Sequence, residues 1–268
     1  MKKYIILAAL AVIAACTKPE NPATKKSYTY KVTIGENDWG IQWKAGDKLW
    51  PCTEGGFKEN VSSALVNGAG SLVGEFRNPD CLEVCNMIAY PYGSAIDVRV
   101  VGSTVWGGFR HELTYEQLGT TRVMLAQGFG RVAPEYLNTV SLTLLPAVSV
   151  VRVKLTNIPA KATALYLGAD KRISGDFTLA GGSFETKDEQ DGQVKVILPQ
   201  NDGTLEFCIA VPTGSYKELR VRLSQTIGLH EFPLWPSVNG DWRTVASFGA
   251  GRRLEAGTTF NAGEVNVE

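Results

Sequence analysis

Two histidines, His111 and His230, are all the imidazole chemistry this chain has, and neither lies in an HExxH run or beside a GxSxG nucleophile elbow. That removes the common metal-hydrolase and acyl-transfer layouts. A glycoside hydrolase needs only two carboxylates at a fixed separation, so 27 acidic residues leave that class open. An excess of basic charge is also missing: 27 Lys and Arg balance 27 Asp and Glu, and the longest basic cluster is Lys25-Lys26. Nucleic-acid binders usually carry a basic stripe or face, so that partner class is set aside. None of the 28 glycines falls in a GxGxxG or GxxxxGK[ST] motif after a strand, so they are read as turn residues. Cysteine and histidine do not show the paired spacing of zinc sites. No cofactor is expected. Long helical periodicity is absent, with only a single turn expected near Thr114–Leu118.

One apolar run stands out, and it is short. From Tyr4 to Ile13 it follows Lys2 and Lys3 and ends at Ala14-Ala15-Cys16, before Thr17-Lys18-Pro19. A spanning helix needs about 20 apolar residues. A basic start, a short apolar stretch and small residues at a cleavage point form a secretory signal. The cysteine directly after them marks a bacterial lipoprotein, with a mature chain starting at Cys16 and lipidated there. Several acyl chains, at about 0.8 kcal/mol per buried methylene, make a firm anchor. Removing residues 1–15 takes two lysines and no acid, leaving 25 basic against 27 acidic residues. The mature protein is expected outside the cytoplasm, held to lipid.

Residues 16–27 carry prolines and polar side chains and read as a tether. From Tyr28 onward the period is two. Tyr28, Tyr30, Val32 and Ile34 alternate with Thr29, Lys31 and Thr33; Val151, Val153 and Leu155 alternate with Arg152 and Lys154; Leu219, Val221 and Leu223 alternate with Arg220 and Arg222. Turn clusters such as Lys44-Ala45-Gly46-Asp47 and Asn201-Asp202-Gly203 punctuate these strands. Many short strands with one wet face imply an all-β sandwich architecture. A boundary is expected near Pro134–Asn138, giving domains at 28–137 and 138–268. Outside the cytoplasm disulfides are permitted. Cys81 and Cys85 would lie about 13 Å apart on one strand, so Cys52 with either of them is the expected pair, and Cys208 is read as a buried thiol.

The order Trp43-Lys44-Ala45-Gly46-Asp47-Lys48-Leu49, Gly70-Ser71-Leu72-Val73-Gly74-Glu75-Phe76, Ala89-Tyr90-Pro91, Met124-Leu125-Ala126, Leu142-Thr143-Leu144-Leu145-Pro146-Ala147-Val148 and Leu254-Glu255-Ala256-Gly257-Thr258-Thr259-Phe260 resembles the fimbrillin-like family. Its members are subunits and surface lipoproteins from which certain diderm bacteria build adhesive fibres. The resemblance runs nearly end to end. It implies two tandem transthyretin-like β-sandwich domains, an outer-membrane location, and fimbrial subunits or surface receptors as partners. It also implies assembly by strand exchange after a protease trims the N-terminal strand behind an Arg or Lys. The strand to be lost is then Tyr28–Ile34, with Lys25, Lys26 and Lys44 as candidate cut sites. Val265-Asn266-Val267 is a donor strand or closes its own sheet, the latter preferred. A glycan-binding surface lipoprotein is the alternative, with Trp235, Asn239, Asp241 and Trp242 as candidate contacts because they form a polar loop between two indoles.

Overall fold

The computed structural model describes residues 29–53, 56–57, 63–77, 87–90, 96–101, 104–120, 122–127, 141–187, 190, 192–199, 203–234 and 242–266. Among them every regular element is a strand apart from a 3-10 turn at Glu116–Thr120. The chain is all-β. The first strands are β1 (Thr29–Ile34), β2 (Lys48–Thr53), β3 (Gly56–Phe57), β4 (Ser63–Asn67), β5 (Val73–Arg77) and β6 (Met87–Tyr90). They are followed by β7 (Ile96–Val101), β8 (Thr104–Phe109), β9 (Glu112–Thr114), β10 (Met124–Gln127), β11 (Ser141–Pro146) and β12 (Ser149–Thr156). Next come β13 (Ala164–Ala169), β14 (Gly175–Ala180), β15 (Ser183–Phe184), β16 (Gly192–Ile197) and β17 (Thr204–Val211). The last are β18 (Gly214–Ile227), β19 (His230–Pro233), β20 (Arg243–Leu254) and β21 (Thr259–Asn266).

The period-two pattern of β1 decides what it buries. Tyr30, Val32 and Ile34 are sealed from solvent while Lys31 is exposed. β1 runs antiparallel to β5 on one side and parallel to β11 on the other. Beyond them the order continues through β4 at one end and β10 and β6 at the other. β2 then joins the two ends, pairing β4 through Lys48–Leu49 and β6 through Trp50–Cys52. The sheet is therefore a closed ring around a core of Tyr30, Val32, Ile34, Trp43, Leu49, Phe76, Met124, Ala126 and Leu144. Closure leaves no unpaired edge in the ring. Gly74, opposite Val32, is closely packed: a Cβ there would meet Leu65, Phe76 and Trp43 at 2.7–2.9 Å.

The remaining strands make three further sheets, ordered β15-β14-β8-β7, β17-β12-β21 and β19-β18-β13-β16-β9, with β20 beside β18. The last two face each other. Val151, Val153, Leu155, Leu205, Phe207 and Ile209 from one meet Leu165, Leu167, Val194, Val196, Leu219, Val221 and Leu223 from the other. Each fully buried aliphatic side chain of this kind contributes about 1.5–3 kcal/mol. A third core, including Phe109, Phe177 and Phe184, lies under β7, β8 and β14. Strand pairing runs across residues 137 and 138, since β1 pairs β11, β8 pairs β14 and β9 pairs β16. The C-terminal strand closes onto its own chain: β21 lies parallel to β12, with Leu155 opposite Val265 and Thr156 opposite Asn266.

Candidate functional site

β1 and the segment after it form one unit. The Tyr30 hydroxyl donates to Ser63 Oγ at 2.6 Å, tying the strand to β4 across the core. Trp43, 1% exposed, lies against the same core. Its Nε1 donates to the carbonyls of Val32 at 3.2 Å and Leu72 at 3.1 Å. Its ring meets Phe76 and Tyr90 edge to face, with centroids 4.8 and 5.3 Å apart. The stretch from Thr29 to Lys44 thus supplies four of the nine buried residues described in that core: Tyr30, Val32, Ile34 and Trp43.

Lys44 follows directly and is exposed. It opens the turn expected from Gly46-Asp47. Its N–H donates to Asp47 Oδ2 at 2.7 Å, the Asp47 N–H donates to its carbonyl at 3.0 Å, and Gly46 adopts a φ of 89°. Asp47 also accepts from the Tyr90 hydroxyl at 3.3 Å. Burial, and then the Asp47 charge and hydrogen bond, push the Tyr90 hydroxyl up to about 12. Of the other candidate positions, Cys16, Lys25 and Lys26 lie outside the described residues, as do Trp235, Asn239 and Asp241. Cys81 and Cys85 lie outside them too.

Trp242 is described and half-buried. It packs on Gly168, where a Cβ would meet the indole at 2.7 Å. The Arg220 and Arg222 guanidiniums sit 5.0 and 5.2 Å from its ring centre. Arg222 also covers Tyr166 at 4.3 Å, and the Tyr166 hydroxyl bonds Glu231, which is ion-paired to Lys195. Lys195 and then Tyr166 hold the Glu231 carboxyl below its ordinary value. The outer face of β13 and β18 is thereby clad with stacked cations and aromatics.

Cys208 is not a fully buried thiol. On β17 it points the same way as Glu206, opposite Arg152 in register, and is half-buried. Burial raises its thiol despite the nearby Arg122 and Arg152 charges. It lines an open cleft of about 860 Å³ together with Asp38, Trp39, Tyr115, Glu116, Leu118, Arg122, Arg152, Glu206, Phe207 and Thr259. Sequence reasoning passed over Trp39, Tyr115 and Arg122. The only local signal was an indole between Asp38 and Gly40 just past a strand.

His111 pairs with Ser174, whose Oγ lies 2.8 Å from His111 Nδ1 and donates to the Gln193 carbonyl at 2.9 Å. Ser174 is 3% exposed and its proton is committed to a carbonyl, so the pair braces a loop rather than presenting a nucleophile. Among the described residues no group of three or more His, Cys, Asp or Glu side chains is placed to hold a metal.

No protein-family model matches this sequence, and no curated protein matches it. Among solved structures it is similar to a candidate cell adhesion protein from Bacteroides ovatus, at 14% identity and a TM-score of 0.47, covering 90% of this chain and 93% of that one. A second candidate cell adhesion protein, from Bacteroides uniformis, gives 14% identity and a TM-score of 0.44 over 91% and 93%. A fimbrial protein from Bacteroides ovatus gives 15% identity and a TM-score of 0.30, covering 89% of this chain and 49% of that one.

Proposed function

We propose that this chain is a lipid-anchored cell-surface protein of fimbrillin type, structural or adhesive, held to the outer membrane through Cys16. In this reading β1 is the strand exchanged during assembly. One observation carries it: β1 is a stave of a closed ring, gripped by β5 and β11, and the exposed Lys44 follows Trp43, the last residue that the Thr29–Lys44 stretch brings to the core. Cutting after Lys44 frees Tyr30, Val32, Ile34 and Trp43 together. Two strand edges then face each other across an apolar slot, with unpaired backbone groups on both sides. A strand from a neighbouring subunit satisfies both needs at once. The donor has to run antiparallel to β5 and place apolar residues at alternate positions. A cut at Lys25 or Lys26 leaves β1 in its seat and opens nothing.

The test is to treat the full-length protein with a trypsin-like protease and look for ladders that resist SDS. Ladders are expected only when cleavage falls after Lys44, and Lys44→Gln should suppress them. A trimmed protein that stays monomeric would exclude strand exchange and leave an anchor or stand-alone surface role.

A further inference from the structure

The 860 Å³ cleft has a lining that the strand-exchange reading does not use. Its floor is the outward face of β12 and β17, where Arg152 and Glu206 form an ion pair. The backbone beneath is committed to the β12–β17 ladder, so an occupant meets side chains rather than free peptide groups. That argues against an extended peptide, which would bind by adding to an unpaired strand edge. One wall is Trp39, on the segment after β1. Tyr115 and Glu116, at the start of the 3-10 turn, line it as well.

Three features of the lining define the occupant. First, Trp39 and Tyr115 are both half-buried, offering ring surface to an occupant while their bodies are fixed in the protein. Trp39 packs between two cores, and the Tyr115 hydroxyl donates to the Glu206 carbonyl at 3.2 Å. Second, donors are in surplus. Arg122 has no hydrogen bond or ion pair among the described residues, and its recessed Nε and that of Trp39 both lack an acceptor. An occupant that brings acceptor groups can satisfy both. Third, the lining also carries acceptors: Asp38 has one carboxylate oxygen on the Thr259 N–H at 3.0 Å and the other without a partner among the described residues.

We infer that this cleft binds a short neutral oligosaccharide. Sugar rings have apolar C–H faces that lie on aromatic side chains, and each sugar hydroxyl both donates and accepts a hydrogen bond. A lining that mixes two aromatic rings, guanidiniums and carboxylates serves that chemistry. An acidic glycan would face Asp38, Glu116 and Glu206; a cationic ligand would face Arg122 and Arg152. A cleft of this volume falls in the range of small-ligand sites, about 300–1,000 Å³.

The experiment uses the full-length protein in a detergent without a sugar headgroup, titrated by calorimetry. The probes are neutral trisaccharides of glucose, mannose, galactose and N-acetylglucosamine, with trigalacturonic acid as the acidic comparison. At least one neutral trisaccharide is expected to bind. Arg122→Ala and Tyr115→Ala should each weaken it by about tenfold or more, the loss for a charge-assisted hydrogen bond or a stacking surface. Arg122 has no hydrogen bond or ion pair among the described residues, so its variant should keep the parent's circular dichroism, while Lys187→Ala should bind as the parent does. No binding by any neutral probe, tighter binding of the acidic one, or full affinity in the Arg122→Ala, Tyr115→Ala double variant would each overturn the assignment.

Discussion

Replacing Trp43 tests whether the segment after β1 is structural or merely a link. Trp43→Ala removes a fully buried indole, which costs about 3–5 kcal/mol where the surroundings relax only partly. The edge-to-face contacts with Phe76 and Tyr90 fall within that figure, and the centre of the ring core is left empty. Trp43→Phe separates the terms. It keeps an aromatic ring but strips the donor from the Val32 and Leu72 carbonyls, so it should cost about 1–3 kcal/mol. Urea unfolding followed by far-ultraviolet circular dichroism measures both, read as a shift in midpoint at unchanged slope. The same variants should be cut faster at Lys44, because the turn there begins at the residue that Trp43 holds. A Trp43→Ala cost below about 1 kcal/mol would refute the claim that residues 29–44 form a single stabilising unit.

Two glycines should respond differently to a methyl group. Gly107→Ala drives a Cβ to within 2.7–2.9 Å of the sealed Phe184 ring and should destabilise by about 1–3 kcal/mol, whereas Gly168→Ala meets the half-buried Trp242 ring, which has room to shift; thermal melts with equal losses for both would contradict this. Stability should also fall in alkali. The Tyr90 hydroxyl holds its proton to about 12 when folded, against an ordinary 10.0, so the unfolded chain releases it first and stability drops as pH rises from 10 to 12. Since Tyr90 is only half-buried, the loss should not exceed about 2 kcal/mol. Asp47→Asn, which removes the charge beside it, should shrink that loss in denaturation curves taken across this pH window. An unchanged loss would mean that burial alone sets the shift.

Alternation was readable in several strands with one wet face, though β7, with Ile96, Val98 and Val100 inside, was passed over. β1, β12 and β18 appear where their period-two patterns place them, with Tyr30, Val32, Val151, Val153, Leu219 and Val221 inside. The turns at Gly46 and Gly257 were readable for a related reason: both have positive φ, 89° and 79°, which glycine alone adopts freely. Pairings between distant strands were not. Nothing in β8 or β14 by itself says that Gly108 will lie opposite Asp176, because such registers depend on which faces remain to be covered after local strands have paired. Cys208 misled for a similar reason. Ala210 and Val211 after it are covered by different cores, so an apolar run conceals that Glu206 and Cys208 share the outward face. The cleft was the least legible feature, since its walls come from positions 38, 115, 122, 152, 206 and 259, brought together only by the fold.

The cleft and the removable strand share a segment, and that links the two proposals. Asp38 and Trp39 lie between β1 and Lys44. The Asp38 N–H donates to the Gly257 carbonyl at 2.9 Å, and its carboxylate accepts from Thr259, so the segment is latched to the turn that starts β21. A cut at Lys44 followed by departure of β1 takes away one wall of the cleft and both latches. An occupied cleft should therefore oppose trimming. If cleavage needs the segment to open, a bound sugar slows it by the factor 1 + [L]/Kd, about tenfold at ten times Kd. Cleavage at Lys25 or Lys26 should keep its rate, because Asp38 and Trp39 stay in place after it. Time courses with and without the sugar, with cut sites read by mass spectrometry, separate the two. Equal slowing at all three lysines would point to inhibition of the protease, and no slowing at Lys44 would mean that the cleft wall stays closed while the turn is cut.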